Sequence, residues 1–332
     1  MTEHVRIAIS DTSASGHARS VATDLARRAG FAPADVERAR LVATETATNV
    51  MKHASGGELL LQGVHAGGRR GLAFLALDKG PGMASVSEAM RDGFTTAGTS
   101  GTGLGAIRRL ATRFDLFSTS AGVALLAIVW GEPPDGDDAG VMVGGVNVPH
   151  PSETVSGDAW SVATVSGRVR VLVSDGLGHG AAAAAASAAA VEAFQATKGQ
   201  PPGEAVRRIH EALRPTRGAA VAIAEIDRGR AVVRFAGLGN IAGTILLNGT
   251  TRSMVSHHGT AGHDMRRIQE FTYPWEAAAI LVLHSDGLSS HWTLEPYPGL
   301  QLRHPMLIAG VLYRDFKRGR DDASVVVLRE AA

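Results

Sequence analysis

The stretch VRVLVSDGLGHGAAAAAASAAAVEAF, Val169 to Phe194, decides how the second half of the chain is read. A run of strand-forming residues ends on Ser174-Asp175-Gly176-Leu177, a glycine-rich turn follows, and an alanine-rich segment runs from Ala181 to Phe194. Alanine is the strongest helix former and carries the least bulk, so the segment reads as a helix able to lie very close to a sheet. A disordered linker would be rich in charge and proline instead. The tetrapeptide SDGL recurs as Ser285-Asp286-Gly287-Leu288, after AAAILVLH (Ala277 to His284). The flanks of the two copies differ and no other segment recurs at that spacing, so they read as two strand ends and not as a duplicated unit.

Further acids share this context: Asp158 in SGDAW and the Asp321-Asp322 pair in GRDDASVVVL, each at the start or end of an apolar run. One Asp beside Gly is ordinarily a turn. Four such places in one domain, three abutting strands of Val, Leu and Ile, point to carboxylates gathered at one edge, where they must bind a divalent metal or repel. The chain has no cysteine, which excludes disulfides, zinc–thiolate sites and cysteine nucleophiles, and an all-oxygen set suits Mg²⁺ or Mn²⁺. His179 in LGHG has an acid role or a structural one, Asn240 in GLGN closes a turn or contacts substrate, and the His257-His258 pair lacks a third spaced ligand.

The 332 residues are enough for two domains, and a 45% hydrophobic, 20% charged composition with net charge +1 gives no global field for nucleic acid or acidic lipid. GxSxG, HExxH and the phosphate-loop GK[ST] ending are absent. No uncharged apolar stretch nears the roughly 20 residues that cross a bilayer, so a cytoplasmic protein is expected, with neither nucleic acid nor membrane as partner. The Pro/Gly/Asp cluster GEPPDGDDAG (Gly131 to Gly140) divides the chain into domains 1–130 and 141–332, with 131–140 as linker.

In the first domain, periodicity predicts a strand (His4 to Ile9), helices (Ser13 to Ala29 and Ala34 to Ala54), strands (Glu58 to Val64 and Gly71 to Leu77), a helix (Leu104 to Thr112) and closing strands. The second helix turns Val36, Ala39, Ala43, Ala47, Val50 and Ala54 to one face, with Glu45, Asn49 and His53 as a polar stripe beside it. Asp78-Lys79-Gly80-Pro81-Gly82 follows the apolar LAFLAL, and GTSGTGLG (Gly98 to Gly105) opens a helix whose N-terminus suits phosphate. The second domain reads as strands near Val141 to Val146, Ala159 to Thr164 and Val169 to Val173, the alanine-rich helix, a helix over Pro202 to Leu213, and mostly strands thereafter.

In this order ETATN (Glu45 to Asn49), DKGPG (Asp78 to Gly82) and SGTGLG (Ser100 to Gly105) resemble the N box, adenine box and lid of the GHKL nucleotide-binding fold. The run from DKGPGM through AMRDGF to GTGLGAIRRL is similar to the switch kinases that phosphorylate Ser or Thr of small STAS-domain proteins. The resemblance implies an α/β sandwich with a mixed sheet and helices on one face, binding ATP and Mg²⁺. Asp78 would take the adenine amino group, with Gly80, Gly82, Ser100, Gly101, Thr102, Gly103, Leu104 and Gly105 around the nucleotide. Asn49 would help hold Mg²⁺, and Glu45 would be general base. The last strand, SAGVALLAIVW, lacks the Gly-Thr step usual in these kinases, so ATP and partner binding without transfer is the alternative.

SGDAW, DGLGHG, SDGL and DDAS together resemble metal-dependent Ser/Thr phosphatases of the protein phosphatase 2C class, in the SpoIIE-like branch. The implied fold is a β-sandwich flanked by helices, giving an α+β chain. Two Mn²⁺ or Mg²⁺ would sit on Asp175, the Gly176 carbonyl, Asp286, Asp321 and Asp322, with Asp158 supporting a bound water. A STAS-domain anti-sigma antagonist or a stressosome-like protein is the partner implied.

Overall fold

The computed structural model describes residues 4–54, 56–86, 103–132 and 140–331. Two compact units emerge: Thr2–Asp137 together with Tyr297–Arg314, and Asp138–Pro296 together with Asp315–Ala332.

The first unit is built on a five-stranded sheet in the order β1-β2-β3-β5-β4. Its strands are β1 (His4–Ile9), β2 (Gly57–Ala66), β3 (Arg69–Asp78), β4 (Arg113–Thr119) and β5 (Gly122–Trp130). Where a mixed sheet was expected, every pairing is antiparallel. The cause is the connection between β1 and β2, which runs through two helices, α1 (Ser13–Arg28) and α2 (Pro33–His53), and so reverses the chain three times, leaving β2 antiparallel to β1. The β2–β3 hairpin turns on Gly67 and Gly68, both at positive φ (53° and 75°), as a two-residue turn of this hand requires.

Alanines Ala14, Ala18, Ala22 and Ala26 repeat every four residues along α1 and are buried, so the helix backbone can approach its neighbours closely. On α2 the buried stripe is Val36, Ala39, Val42, Ala43, Thr46, Ala47 and Val50. These residues and α3 (Gly103–Leu110) share a core with one face of the sheet, including Leu59, Leu61, Phe74, Leu125 and Ala127. The alternate positions Leu60, Leu75, Leu77 and Leu126 point the other way and are also buried.

The second unit is a sandwich of two five-stranded sheets. One has the order β13-β10-β9-β8-β7, from β7 (Asp158–Val165), β8 (Arg168–Gly176), β9 (Ala219–Asp227), β10 (Val232–Leu238) and β13 (Phe271–Pro274). The other is β12-β11-β14-β15-β6, from β6 (Val141–Val148), β11 (Ala242–Leu247), β12 (Thr250–Ser253), β14 (Ile280–His284) and β15 (Ala323–Glu330). Alternation along β8 assigns its faces: Val169, Val171 and Val173 enter the core between the sheets, with Leu281, Leu283, Val326 and Leu328. Leu172 faces the opposite way, into a second core with α4 (Ala181–Ala196) and α5 (Pro202–Leu213).

The alanine-rich segment is thus a helix on a sheet, as its composition predicts. One element was not anticipated: α6 (Pro305–Phe316), where the sequence reads as mostly strand. Every residue from Pro305 to Arg314 is buried, so the segment carries no polar stripe by which periodicity could mark it as helical. Segment 297–314, assigned from sequence to the 141–332 domain, is grouped with the first unit. Among the described residues no helix is long and apolar enough to cross a membrane.

Candidate functional sites

In the first unit, α2 positions Glu45 and Asn49 one turn apart, both half-buried, while His53 is exposed. A Cβ built on Gly103 would lie 2.7 Å from Asn49 Oδ1, so the start of α3 rests directly on the Asn49 amide. Among the described residues the buried Asn49 Nδ2 has no hydrogen-bond partner, a polar atom in want of one. Asp78, buried at the end of β3, accepts hydrogen bonds at Oδ1 from the backbone N–H groups of Gly80 (2.8 Å) and Val123 (3.2 Å). Gly82 (φ 72°) admits no side chain, because a Cβ would fall 1.9 Å from the Thr119 carbonyl oxygen. Leu104 is half-buried and Gly105 buried on α3. Ser100, Gly101 and Thr102 lie outside the described residues. The turn after β3 and the start of α3 are therefore brought to the same edge as Asn49, which suits a nucleotide whose base and phosphates contact separate glycine-rich segments.

In the second unit, Asp158 and Asp175 are cross-strand partners in the β7–β8 ladder. The buried Asp158 carboxyl accepts a hydrogen bond at Oδ2 from the Ser285 hydroxyl (2.6 Å). That hydroxyl in turn accepts from the Ser324 backbone N–H (3.0 Å), which ties β7 of one sheet to the ends of β14 and β15 of the other. Asp286 Oδ2 accepts from the Asn240 side-chain amide (2.9 Å). Asp322 Oδ1 accepts from the His150 backbone N–H (2.8 Å), and its Oδ2 is buried beside Gly157 without a hydrogen bond of ordinary geometry. Asp321 is exposed, and its Oδ1 accepts from the Asp322 backbone N–H (2.9 Å).

Three of these acids, Asp158, Asp175 and Asp322, have a raised proton affinity. Burial, then repulsion from Asp286, Asp321 and Asp322, pushes Asp175 up to about 7. Burial, then Asp175, holds Asp158 well above the usual carboxylate range. Burial also raises Asp322, against hydrogen bonds from the backbones of His150 and Gly157. Carboxylates gathered at close range and partly buried are the donor chemistry a divalent cation neutralises. Among the described residues, no three His, Asp or Glu side chains are arranged to hold a metal ion as they stand. Asn240 occupies an Asp286 lone pair that ligation would use.

The two SDGL copies close in different ways. A side chain on Gly176 would place its Cβ 2.3 Å from the Ala183 carbonyl oxygen, in the first turn of α4, and one on Gly287 would fall 1.9 Å from the carbonyl oxygen of Asp322. Sequence reading passed over Ser285, Ser324 and the Asn240–Asp286 bond. The serine preceding both aspartates was the available signal: Ser174 pairs with Ser187 (3.0 Å), and Ser187 donates to the Gly157 carbonyl (2.6 Å). His179 is exposed, pairs with Glu153 (2.7 Å) and stacks on His150 with ring centroids 4.6 Å apart. His257 stacks on Phe271 and does not join the acid cluster.

Comparison with known families places this geometry. Residues 165–330, half of the chain and every strand from β8 to β15, match the family model of stage II sporulation protein E. The chain belongs to the SpoIIE family. Residues 9–129 match the histidine kinase-like ATPase domain. The SpoIIE part is a protein phosphatase 2C-type domain, and the first unit is a kinase-like ATPase domain of the GHKL type. The serine/threonine-protein kinase RsbT of Bacillus subtilis (strain 168) is 34% identical over 114 residues, covering 34% of this chain and 86% of that protein. A solved chain from work on the bacterial stressosome, described as a modular system adapted to control secondary messenger signaling, superposes with TM-score 0.53 at 26% identity, covering 57% of this chain and 99% of its own. RsbX in complex with magnesium superposes with TM-score 0.50 at 17% identity, covering 57% and 96%, and so shares the fold.

Proposed function

We propose that this SpoIIE-family chain is a bifunctional partner-switching regulator, in which a metal-dependent phosphoserine/phosphothreonine phosphatase is fused to a domain that uses ATP to phosphorylate Ser or Thr of a STAS-domain partner. Anti-sigma antagonists and stressosome-like proteins are the partners this reading favours. The observation that carries it is the convergence of Asp175 with Asp286, Asp321 and Asp322, supplied by both sheets of the sandwich and raising the proton affinity of Asp175.

Two Mn²⁺ or Mg²⁺ ions, when bound, supply a water of lowered pKa and neutralise the phosphate oxygens. Asp175, the Gly176 carbonyl, Asp286, Asp321 and Asp322 are the groups that would hold them. Asp158 is fixed across from Asp175 by the Ser285 hydroxyl, and Asn240 orients the Asp286 carboxylate. In the first unit, the Gly80 and Val123 amides fix Asp78 Oδ1 and leave Oδ2 for an adenine amino group. Asn49 would help hold Mg²⁺, and Glu45, one turn away, would take the proton of the incoming hydroxyl.

Two assays test the halves. Mn²⁺-dependent hydrolysis of p-nitrophenyl phosphate is expected to fall more than ~100-fold in Asp286→Asn, beyond the loss typical for a group that only supports a ligand. Activity that survives this change rejects the site. In an Asp175→Asn background, γ-labelled ATP is expected to label a STAS-domain substrate, and adding Glu45→Ala is expected to abolish the label. Equal labelling with and without Glu45 assigns the first unit to ATP binding alone.

A further inference from the structure

Residues 297–314 belong to the first unit, and the part of α6 that they include lies on the outer face of its sheet. Gly310 is seated on β3, where a Cβ would come within 2.8 Å of Leu75 and 3.1 Å of Leu77. The segment is also tied to the strands at both of its ends. The His304 backbone N–H and the Arg303 guanidinium donate to the Asp115 carboxylate on β4 (2.8 and 3.3 Å), and the Tyr313 hydroxyl donates to Glu58 Oε2 on β2 (3.1 Å). An apolar helix on an apolar sheet face needs no cation, yet this one carries Arg314, which is 5% exposed. Burying a guanidinium is costly unless its donors are met.

Arg314 Nη1 meets backbone, donating to the carbonyl oxygens of Asp78 (3.0 Å) and Val123 (3.3 Å). The N–H of the same Val123 donates to Asp78 Oδ1 (3.2 Å), and the Gly80 N–H joins it there (2.8 Å). The guanidinium therefore holds both carbonyls of the small ring of bonds that sets the Asp78 carboxylate. Gly122 (φ 135°) keeps this ring tight, because a Cβ there would lie 2.1 Å from the Asp78 carbonyl oxygen and 2.9 Å from Arg314 Nη1. Bonds from a charged donor are shorter and stronger than neutral ones, and a buried acceptor that loses its donor is costly to leave unmade. Nothing local to Asp78-Lys79-Gly80-Pro81-Gly82 marks this partner, which is 236 positions away and outside the residues 9–129 that match the ATPase domain.

We propose that Arg314 is a positioning residue of the nucleotide site and sets its selectivity for adenine, by fixing the Asp78 backbone so that Oδ2 faces the amino group of the base. This rests on the nucleotide reading of Asp78 and deepens it with a residue that no sequence motif ties to the site. Adenine presents an amino group where guanine presents a carbonyl, so a fixed carboxylate favours the first and repels the second. A site built to hydrogen-bond one group rejects the analogue that lacks it only while its own polar atoms stay in place. A carboxylate free to swing with its turn loses that discrimination, whereas contacts to the ribose and phosphates do not depend on it. Removal of Arg314 therefore weakens an adenine nucleotide far more than a guanine nucleotide. General loosening of the fold weakens both alike.

Isothermal titration calorimetry of the full chain, with Mg²⁺ and non-hydrolysable analogues of ATP and of GTP, reads the selectivity without reference to catalysis. The wild type is expected to prefer the ATP analogue by at least ~10-fold. Arg314→Gln is expected to bind the ATP analogue roughly 10-fold more weakly and the GTP analogue within about 2-fold of wild type. Arg314→Lys, which keeps the charge but not the planar fork, is expected to fall between. Equal weakening of both analogues, or an unchanged preference in both variants, overturns the role of Arg314 and leaves the nucleotide reading standing. A wild type that binds the two analogues equally overturns the adenine role of Asp78 and the role of Arg314 with it. A wild type that binds neither overturns the nucleotide reading. Thermal melts accompany the titrations, and loss of cooperative melting in both variants makes Arg314 a residue of the fold and rejects the positioning role.

Discussion

The turns at Ser174–Leu177 and Ser285–Leu288 have the same four residues and share almost none of their contacts. In the first, the serine pairs with Ser187 of α4 and the glycine makes room for the carbonyl of Ala183, so the turn is seated against a helix. In the second, the serine fixes Asp158 and the glycine makes room for the carbonyl of Asp322, so the turn is seated against the acid cluster itself. Asp175 faces three other acids and is driven up towards neutrality, whereas Asp286 has a carboxylate oxygen held by Asn240. A tetrapeptide therefore specifies a strand end and a tight approach, and the surrounding sheet decides what is approached.

The comparison is broken most severely at the glycines. Gly287→Ala is expected to cost about 3 kcal/mol and Gly176→Ala about 2 kcal/mol, the upper part of the range for overpacking, because a methyl group meets backbone in both and meets it closer at 287. Urea unfolding followed by tryptophan fluorescence reports the difference, since Trp160, Trp275 and Trp292 all lie in the second unit. Equal costs at the two positions would mean that the turns are interchangeable after all.

The serines give a smaller separation. Ser285→Ala strips a donor from the buried Asp158 carboxyl and an acceptor from the Ser324 amide, so a loss of about 2 kcal/mol is expected by the same measurement. Ser174→Ala is expected to lose about 0.5–1 kcal/mol, because Ser187 keeps its bond to the Gly157 carbonyl.

The smallest effect is on pH dependence. Asp175 binds its proton more tightly in the folded chain (about 7) than in the unfolded one (3.8). Its contribution to stability is full below about pH 4 and lost as pH rises through about 7. With EDTA present, Tm is expected to fall from pH 5 to pH 8 more steeply in the wild type than in Asp175→Asn, and saturating Mn²⁺ is expected to remove the difference. Buried His284, whose pKa is lowered, works in the opposite direction in both proteins and cancels in the comparison.

What could be read in the sequence follows the same division between local and distant causes. The apolar stripe of α2, the compact helix at Ala181–Ala196 and the strand before each SDGL are local patterns, and the structure has all of them. Asp175 is also within electrostatic reach of Asp286, which strand ends alone suggested. The antiparallel order of the first sheet was missed although both helices between β1 and β2 were legible, because which strands pair is settled by contacts far apart in the chain. Ser285 gave little sign of its role, since its partner Asp158 is 127 positions away. Helix α6 was missed because burial on every side removes the alternation that distinguishes a helix from a strand in a short apolar run.

The placement of residues 297–314 also determines how this gene can be divided. The Pro- and Gly-rich stretch at 131–140 looks like a natural seam for recombination or for a truncated clone. A cut there sends α6 away with the phosphatase half, stranding Leu75 and Leu77 without Gly310 above them and the Asp78 carbonyl without Arg314. The two units are thus inherited together, because a segment grouped with the first is encoded inside the span of the second.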